Sequence, residues 1–287
     1  MRNPILIRCS SIGKLMTEPK SIDPRLITED IAPIVARTKR TDEEKALLAR
    51  LKEQTLSETA KTHIRELVAQ DLFGVDFEIG SKAIAKGLEC EQDGIALLNQ
   101  LRGLSLVKNA ERRDNGYITG ECDLFDCLRA VGHDLKCSWS IQTFPIVTCE
   151  AESDLYWWQM QSYMILWKAA RWEVNYALVN TPERLIGYDD PALHKVDHIP
   201  ARLRMTTWVV ERDPAVEARI VEKVKLARVY YIEIVDEFER LHADPLAALS
   251  APPAALPEPV APTVTTTKPA ANDASAPAEL ALDPFSA

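Results

Sequence analysis

Two strand-like runs, residues 117–127 and 132–138, follow one another with Gly116 and Gly132 as punctuation, and together they carry the most constraining pattern in the chain. The first contains Gly120-Glu-Cys-Asp-Leu-Phe-Asp126 and the second Asp134-Leu-Lys136. Residues two apart in a strand point to one face, so Asp134 and Lys136 project together. If the runs pair as a hairpin, Asp123 comes to lie beside them. The pattern asks for a sheet with two carboxylates and an ammonium gathered at one edge.

That trio suits Mg²⁺-assisted phosphodiester hydrolysis. Carboxylates are hard oxygen ligands. The metal polarises the phosphate and lowers the pKa of a bound water, and the lysine orients that water or neutralises charge in the transition state. At 287 residues and 46% apolar content the chain can bury a full core. Its net charge of −9 argues against a protein that coats DNA non-specifically. A nuclease whose metals bridge the phosphates and whose basic residues are local remains compatible with it. No run of 18 apolar residues is present, and the first eight residues are too polar for a signal peptide, so a cytoplasmic protein without a membrane span is expected. The six cysteines are scattered without a CxxC pair, which disfavours a disulfide framework, a zinc site or an iron–sulfur cluster. His194 and His198 are bracketed by Pro191 and Pro200 and read as loop residues.

Along the chain, residues 10–18 read as a short helix with Ser10 or Ser11 as N-cap. Thr41-Asp-Glu-Glu44 is a capping-box signature opening a polar helix to about Leu56, and a second helix runs from Ser57 to about Phe73, with Gly74 as its stop. In a further helix over about 80–102, Ile84, Leu88, Ile95 and Leu98 repeat at helical spacing, and Glu91 falls on the same stripe. A carboxylate on a buried helix face is costly unless it is paired or binds metal. Strand-like runs over about 104–112, 117–127 and 132–138 follow, then a helix from about Asp154 to Arg171 and strands at 172–180 and 204–212. Pro214 suits the first position of a long helix over about 214–242. This order predicts an α/β fold with a central mixed sheet flanked by helices, over residues 1–245. From 246 to 287 a Pro/Ala-rich tail, which holds eight of the 18 prolines, is expected to be disordered.

With Glu91, Asp123 and Asp134-x-Lys136 in order, the chain resembles the phage lambda-type alkaline exonucleases, viral recombination nucleases of the restriction-endonuclease-like PD-(D/E)xK superfamily. Four blocks over roughly residues 8–240 carry the resemblance: Cys9-Ser-Ser-Ile-Gly-Lys-Leu-Met16, Lys82-Ala-Ile-Ala-Lys-Gly-Leu-Glu-Cys-Glu91, Thr119-Gly-Glu-Cys-Asp123 with Asp134-Leu-Lys136, and Trp158-Gln-Met-Gln-Ser-Tyr-Met164. The resemblance implies a restriction-endonuclease-like core. It implies that Asp123, Asp134 and the Leu135 carbonyl ligate Mg²⁺, with Glu91 adding to the shell, and two ions in all; Mn²⁺ could substitute. Lys136 would position or help deprotonate the attacking water. Gln159 and Gln161 point about 200° apart on their helix, so only one can enter the site, and Gln161 is the first choice. Ser10, with Arg8 upstream, would hold a 5′-phosphate. Ser11 stands where the family has an acid, and Arg2 competes with Arg8 for the arginine role.

The implied activity is a Mg²⁺-dependent exonuclease on double-stranded DNA ends, degrading 5′ to 3′ and leaving 3′ overhangs for a single-strand annealing protein in phage-type recombination. A homotrimer is implied as well. An endonuclease or other-polarity nuclease of the superfamily, or an idle DNA-binding protein on this fold, would show the same pattern. The aromatic cluster of Tyr156, Trp157, Trp158, Tyr163, Trp167 and Trp172 reads as core packing before base stacking. Lys39, Arg40, Arg112, Arg113, Arg202 and Arg204 are candidate phosphate contacts.

Overall fold

The computed structural model describes residues 4–77 and 80–243; the expected division at 245, the tail beyond it and Arg2 lie outside these. In chain order come strand β1 (Ile7–Arg8), a 3₁₀ turn (Cys9–Ser11) and helix α1 (Ile12–Met16). Helices α2 (Ala32–Ala36), α3 (Asp42–Glu53), α4 (Glu58–Phe73), α5 (Lys82–Glu89) and α6 (Glu91–Arg102) follow. Next are strands β2 (Arg112–Asp114), β3 (Ile118–Glu121), β4 (Leu124–Asp126) and β5 (Val131–Cys137). The remainder is α7 (Thr148–Ala151), α8 (Asp154–Trp167), β6 (Arg171–Ala177), α9 (Glu183–Ile186), β7 (Met205–Glu211) and α10 (Val216–His242). Among the described residues, no helix is long and apolar enough to cross a membrane.

Local signals in the sequence set several of these boundaries. Thr41 Oγ1 accepts from the Glu44 amide at 3.2 Å, and Glu44 returns the bond to the Thr41 amide at 2.9 Å, so the capping box forms. Ser57 caps α4 through the Ala60 amide at 3.0 Å, and Gly74 ends that helix. Pro214 falls just ahead of α10, whose N-cap is Ala215. Helix α8 stops at Trp167, earlier than expected, because Lys168 adopts the left-handed conformation and turns the chain into β6.

The strands form two sheets. One is four-stranded in the order β4-β5-β6-β7, with β5 and β6 parallel and the outer pairs antiparallel; the other has the order β1-β3-β2. The parallel β5/β6 pair needs a crossover, and the segment containing α8 supplies it. The two faces of β5 serve different partners. Asp134 and Lys136 meet α8 through Gln159 and Tyr156, whereas Leu135 and Cys137 join Ile95 and Leu98 of α6 in a separate apolar cluster. The main core lies on the α8 side and centres on the fully buried Trp172, which stacks on Tyr163 with ring centroids 5.2 Å apart. The aromatic cluster is therefore packing. Gly132 is part of this packing and not a turn: it lies inside β5, where a Cβ would come within 2.2 Å of the Trp172 ring.

Three segments differ from expectation. The run 117–127 is two strands, because the chain leaves one sheet after Glu121 and enters the other at Leu124. The run 104–111 is irregular and lies outside both ladders, and only Arg112–Asp114 pairs. One backbone bond, from the Asn109 amide to the Asp123 carbonyl at 2.7 Å, and side-chain bonds hold the run there: Asn99 bonds both the amide and the carbonyl of Leu106, and Asn109 reaches the carbonyls of Glu111 and Cys122. The helix over 80–102 breaks at Cys90 (φ −98°, ψ 8°), which resets its phase. Leu88 is consequently 74% exposed, and Lys86, not Leu88, is buried.

Candidate active site

The break at Cys122–Asp123 is what builds the site. Where β4 begins, Asp123 turns back toward β5, and its Oδ2 accepts a hydrogen bond from the Leu135 amide at 2.7 Å. The amide and carbonyl of one strand residue point to the same edge, so the Leu135 carbonyl faces the same gap. One residue either side of Leu135, Asp134 and Lys136 project from the other face of β5, with Lys136 Nζ 2.9 Å from Asp134 Oδ2. The Lys136 ammonium also lies 4.6 Å from the centre of the Tyr156 ring.

The electrostatics follow from crowding. Burial, and then the charge of Asp134, push the Asp123 carboxyl up to about 7, against the pull of Lys136. Burial works against the Lys136 ammonium as well, but Asp134 and Asp123 more than offset it and raise its pKa, so it stays charged. Asp123, crowded by the charge of Asp134, forms with that second carboxylate and the Leu135 carbonyl a hard-oxygen donor set. That set fits Mg²⁺ or Mn²⁺, whose charge would relieve the repulsion.

A cavity of about 420 Å³ opens onto these groups. Arg8, Ser10, Glu91, Lys108, Arg112, Asp123, Asp134, Lys136, Gln159 and Tyr163 line it. The cavity thus gathers Glu91, Asp123, Asp134, Lys136, Gln159, Arg8, Ser10 and Arg112 of the residues that the sequence nominated. Glu91, at the first position of α6, is mostly buried, and Lys108 holds it in an ion pair. Among the described residues, no three His, Cys, Asp or Glu side chains form a metal cluster, although Glu91 shares the cavity with Asp123 and Asp134 and its charge adds to the rise of Asp123.

Gln161 is the correction. Its Nε2 donates to the Glu211 carbonyl at 2.8 Å and its Oε1 accepts from the Asp213 amide at 2.9 Å, which ties α8 to the turn between β7 and α10, away from the cavity. Gln159 is the glutamine that enters the site. Its Nε2 lies 3.5 Å from Asp134 Oδ1 and 3.3 Å from the Tyr163 hydroxyl, which in turn donates to the Glu121 carbonyl at 3.1 Å.

Ser11 occupies the N-cap position of α1 but makes no side-chain capping bond. Ser10 is exposed within the 3₁₀ turn, and Ser11 Oγ donates back to the Arg8 carbonyl at 3.1 Å. Close packing holds this turn at the cavity rim: a Cβ on Gly120 would come within 2.7 Å of Cys9 Sγ and 2.8 Å of Tyr163. Of the basic residues nominated earlier, Arg112 lines the cavity and pairs with Glu121 at 3.3 Å. Arg40 instead bonds the Ile34 and Val35 carbonyls, and Arg113 lies over Trp167, 5.1 Å from its ring centre. Lys108 escaped the sequence reading, because it sits in the irregular segment ahead of β2 and belongs to no motif.

No protein-family model matches the chain, and no curated protein does. Among solved structures, a phage-related exonuclease from Haemophilus somnus 129PT is 35% identical, covering 82% of this chain and 96% of its own with a TM-score of 0.67. The alkaline exonuclease LHK-Exo of Laribacter hongkongensis shares the fold at 15% identity, covering 86% of this chain and 96% of its own with a TM-score of 0.54. LHK-Exo in complex with dAMP aligns at 17% identity, covering 85% of this chain and 95% of its own with a TM-score of 0.50.

Proposed function

The chain belongs to the phage-related, lambda-type alkaline exonucleases, and from that membership we propose that it is a deoxyribonuclease that resects linear double-stranded DNA from its 5′ ends. The observation that carries this reading is the convergence of Asp123, Asp134 and Lys136 on one cavity whose rim holds Arg8, Ser10, Lys108 and Arg112. Cations at the rim favour a phosphate, and the carboxylates beyond it favour a divalent metal.

Asp123, Asp134 and the Leu135 carbonyl would hold Mg²⁺, with Glu91 contributing from across the cavity. The cation supplies Lewis-acid polarisation of the scissile phosphate and makes the attacking water more acidic. Lys136 is held as an ammonium and so donates: it orients that water and stabilises charge developing on the phosphate oxygens. Gln159 restrains Asp134, and the Tyr163 hydroxyl restrains Gln159. Arg8 and Ser10 would bind the terminal phosphate, with Arg112 along the backbone, which suits entry of a strand end into the cavity they line. The resulting 3′ overhang would serve a single-strand annealing partner, and we place the protein in phage-type recombination on that ground.

The test is digestion of linear duplex DNA carrying separate 5′ and 3′ labels, with Mg²⁺ or EDTA, beside Lys136→Ala. Early release of the 5′ label, lost in EDTA and in the variant, is the expected result. Internal cuts or early 3′ release would keep the chemistry and overturn the polarity. Absence of any metal-dependent cleavage by the folded protein would overturn the whole reading.

A further inference from the structure

Lys86 reverses the polarity of the helix it sits on. Its side chain is fully buried in α5, while Leu88 two residues later is 74% exposed on the cavity wall. An ammonium has three donors and no acceptor. Here the three donors meet the backbone carbonyls of Ser138 at 2.6 Å, Val179 at 2.9 Å and Trp139 at 3.1 Å. Burial lowers the pKa of this lysine to about 8. An apolar side chain would fill the same space but leave three carbonyls without this donor. A buried charge that violates the helix pattern calls for a reason beyond packing.

The position of the three acceptors supplies one. Ser138 and Trp139 follow directly on β5, just past Lys136, and Val179 follows β6. Helix α5 runs through Cys90 into α6, whose first residue is Glu91. One ammonium therefore ties together the strand carrying Asp134 and Lys136, its parallel neighbour, and the helix pair carrying Glu91. The Cys137 thiol, 3.5 Å from the Cys90 carbonyl, is a weaker tie across the same seam.

We propose that Lys86 is a positioning residue for the nuclease centre, clamping the ends of β5 and β6 to α5 so that Glu91 is held in register with Asp134 and Lys136; this rests on the nuclease reading above. A second buried lysine provides an internal control. Lys223 on α10 donates to the carbonyls of Thr55 and Lys52, where α3 gives way to α4. Its loss should weaken the fold without touching the centre.

The experiment compares Lys86→Met and Lys223→Met in the full chain. The readouts are melting temperature, kcat and KM on linear duplex DNA, the Mg²⁺ concentration for half-maximal rate, and amide hydrogen exchange over residues 133–140 without metal. For Lys86→Met we expect kcat to fall about 10-fold or more, the Mg²⁺ half-saturation point to rise by about as much, and KM for DNA to stay within about two-fold. Exchange at 133–140 should accelerate, while Lys223→Met keeps wild-type kcat, Mg²⁺ response and exchange despite a lower melting temperature. Wild-type kcat and Mg²⁺ response in Lys86→Met, or equal activity losses in both variants, would overturn the proposal. If Lys86→Met does not fold, Lys86→Arg takes the same readouts, since a planar guanidinium cannot meet three converging carbonyls as an ammonium does. If the wild type shows no nuclease activity, the functional reading falls, while the exchange measurement still reports whether the clamp exists.

Discussion

Removing the charge of Asp123 should make the metal-free protein more stable and the enzyme inactive. An aspartate in an unfolded chain titrates near 3.9, whereas burial and then the neighbouring Asp134 push the Asp123 carboxyl up to about 7. A carboxyl raised in the folded state binds its proton more tightly there than when unfolded. Stability from this group is therefore full below about pH 4, declines as pH rises toward 7, and is level above that. The gap corresponds to a ceiling of roughly 4 kcal/mol at pH 8. Relaxation of the site and entry of water relieve part of that penalty, so about 2 kcal/mol is the working figure. Asp123→Asn mimics the protonated side chain and can still accept the Leu135 amide. In EDTA at pH 8 it should melt about 4–8 °C above wild type, with the difference shrinking toward zero by pH 4.5. The assay is thermal unfolding across that pH range with and without Mg²⁺. Mg²⁺ should stabilise wild type more at pH 8 than at pH 5.5, since the ion must displace the proton, and should leave Asp123→Asn unmoved. A variant less stable than wild type at pH 8, or an effect independent of pH, would refute the reasoning.

Other substitutions separate chemistry from folding. Lys136→Ala should lower kcat about 10²-fold or more with a much smaller change in KM, on the scale of losing one preorganised electrostatic donor; single-turnover rates at saturating DNA would show otherwise. Gln159→Ala should slow turnover while the fold holds. Gln161→Ala should keep kcat but lose about 1–3 kcal/mol of stability by leaving the Glu211 carbonyl and Asp213 amide unpaired, and an inactive but fully stable Gln161→Ala would return that residue to the site. Gly132→Ala should destabilise by about 1–3 kcal/mol or misfold outright, because the new Cβ has only the Trp172 ring to meet; denaturant unfolding decides it.

Much of this protein follows from local rules written in the chain. The period of a strand alone places Asp134 and Lys136 on one face, and the structure finds them 2.9 Å apart. The Thr41–Glu44 box and the Ser57 cap needed only neighbours three residues away. Four sequence blocks in order, from Cys9–Met16 through Glu91, Asp123 and Asp134-x-Lys136 to Trp158–Met164, carry the family resemblance. Tertiary packing decided the rest. Helical spacing shows that Gln159 and Gln161 point apart, but which of them meets Asp134 depends on how α8 docks on β5. The apolar spacing of Ile84, Leu88 and Ile95 assumed one continuous helix; the break at Cys90 rotated α5 against α6, exposed Leu88 and buried Lys86 on three carbonyls more than fifty residues away in sequence. Lys108 and the turn at Asp123 belong to segments outside the regular ladders, joined by a single Asn109–Asp123 backbone bond, so no periodicity announces them. A sequence pattern sets the geometry of residues within one element, because the backbone repeat is local. Which faces of different elements meet is set by the packing of the whole core, and the site lies where several such faces converge.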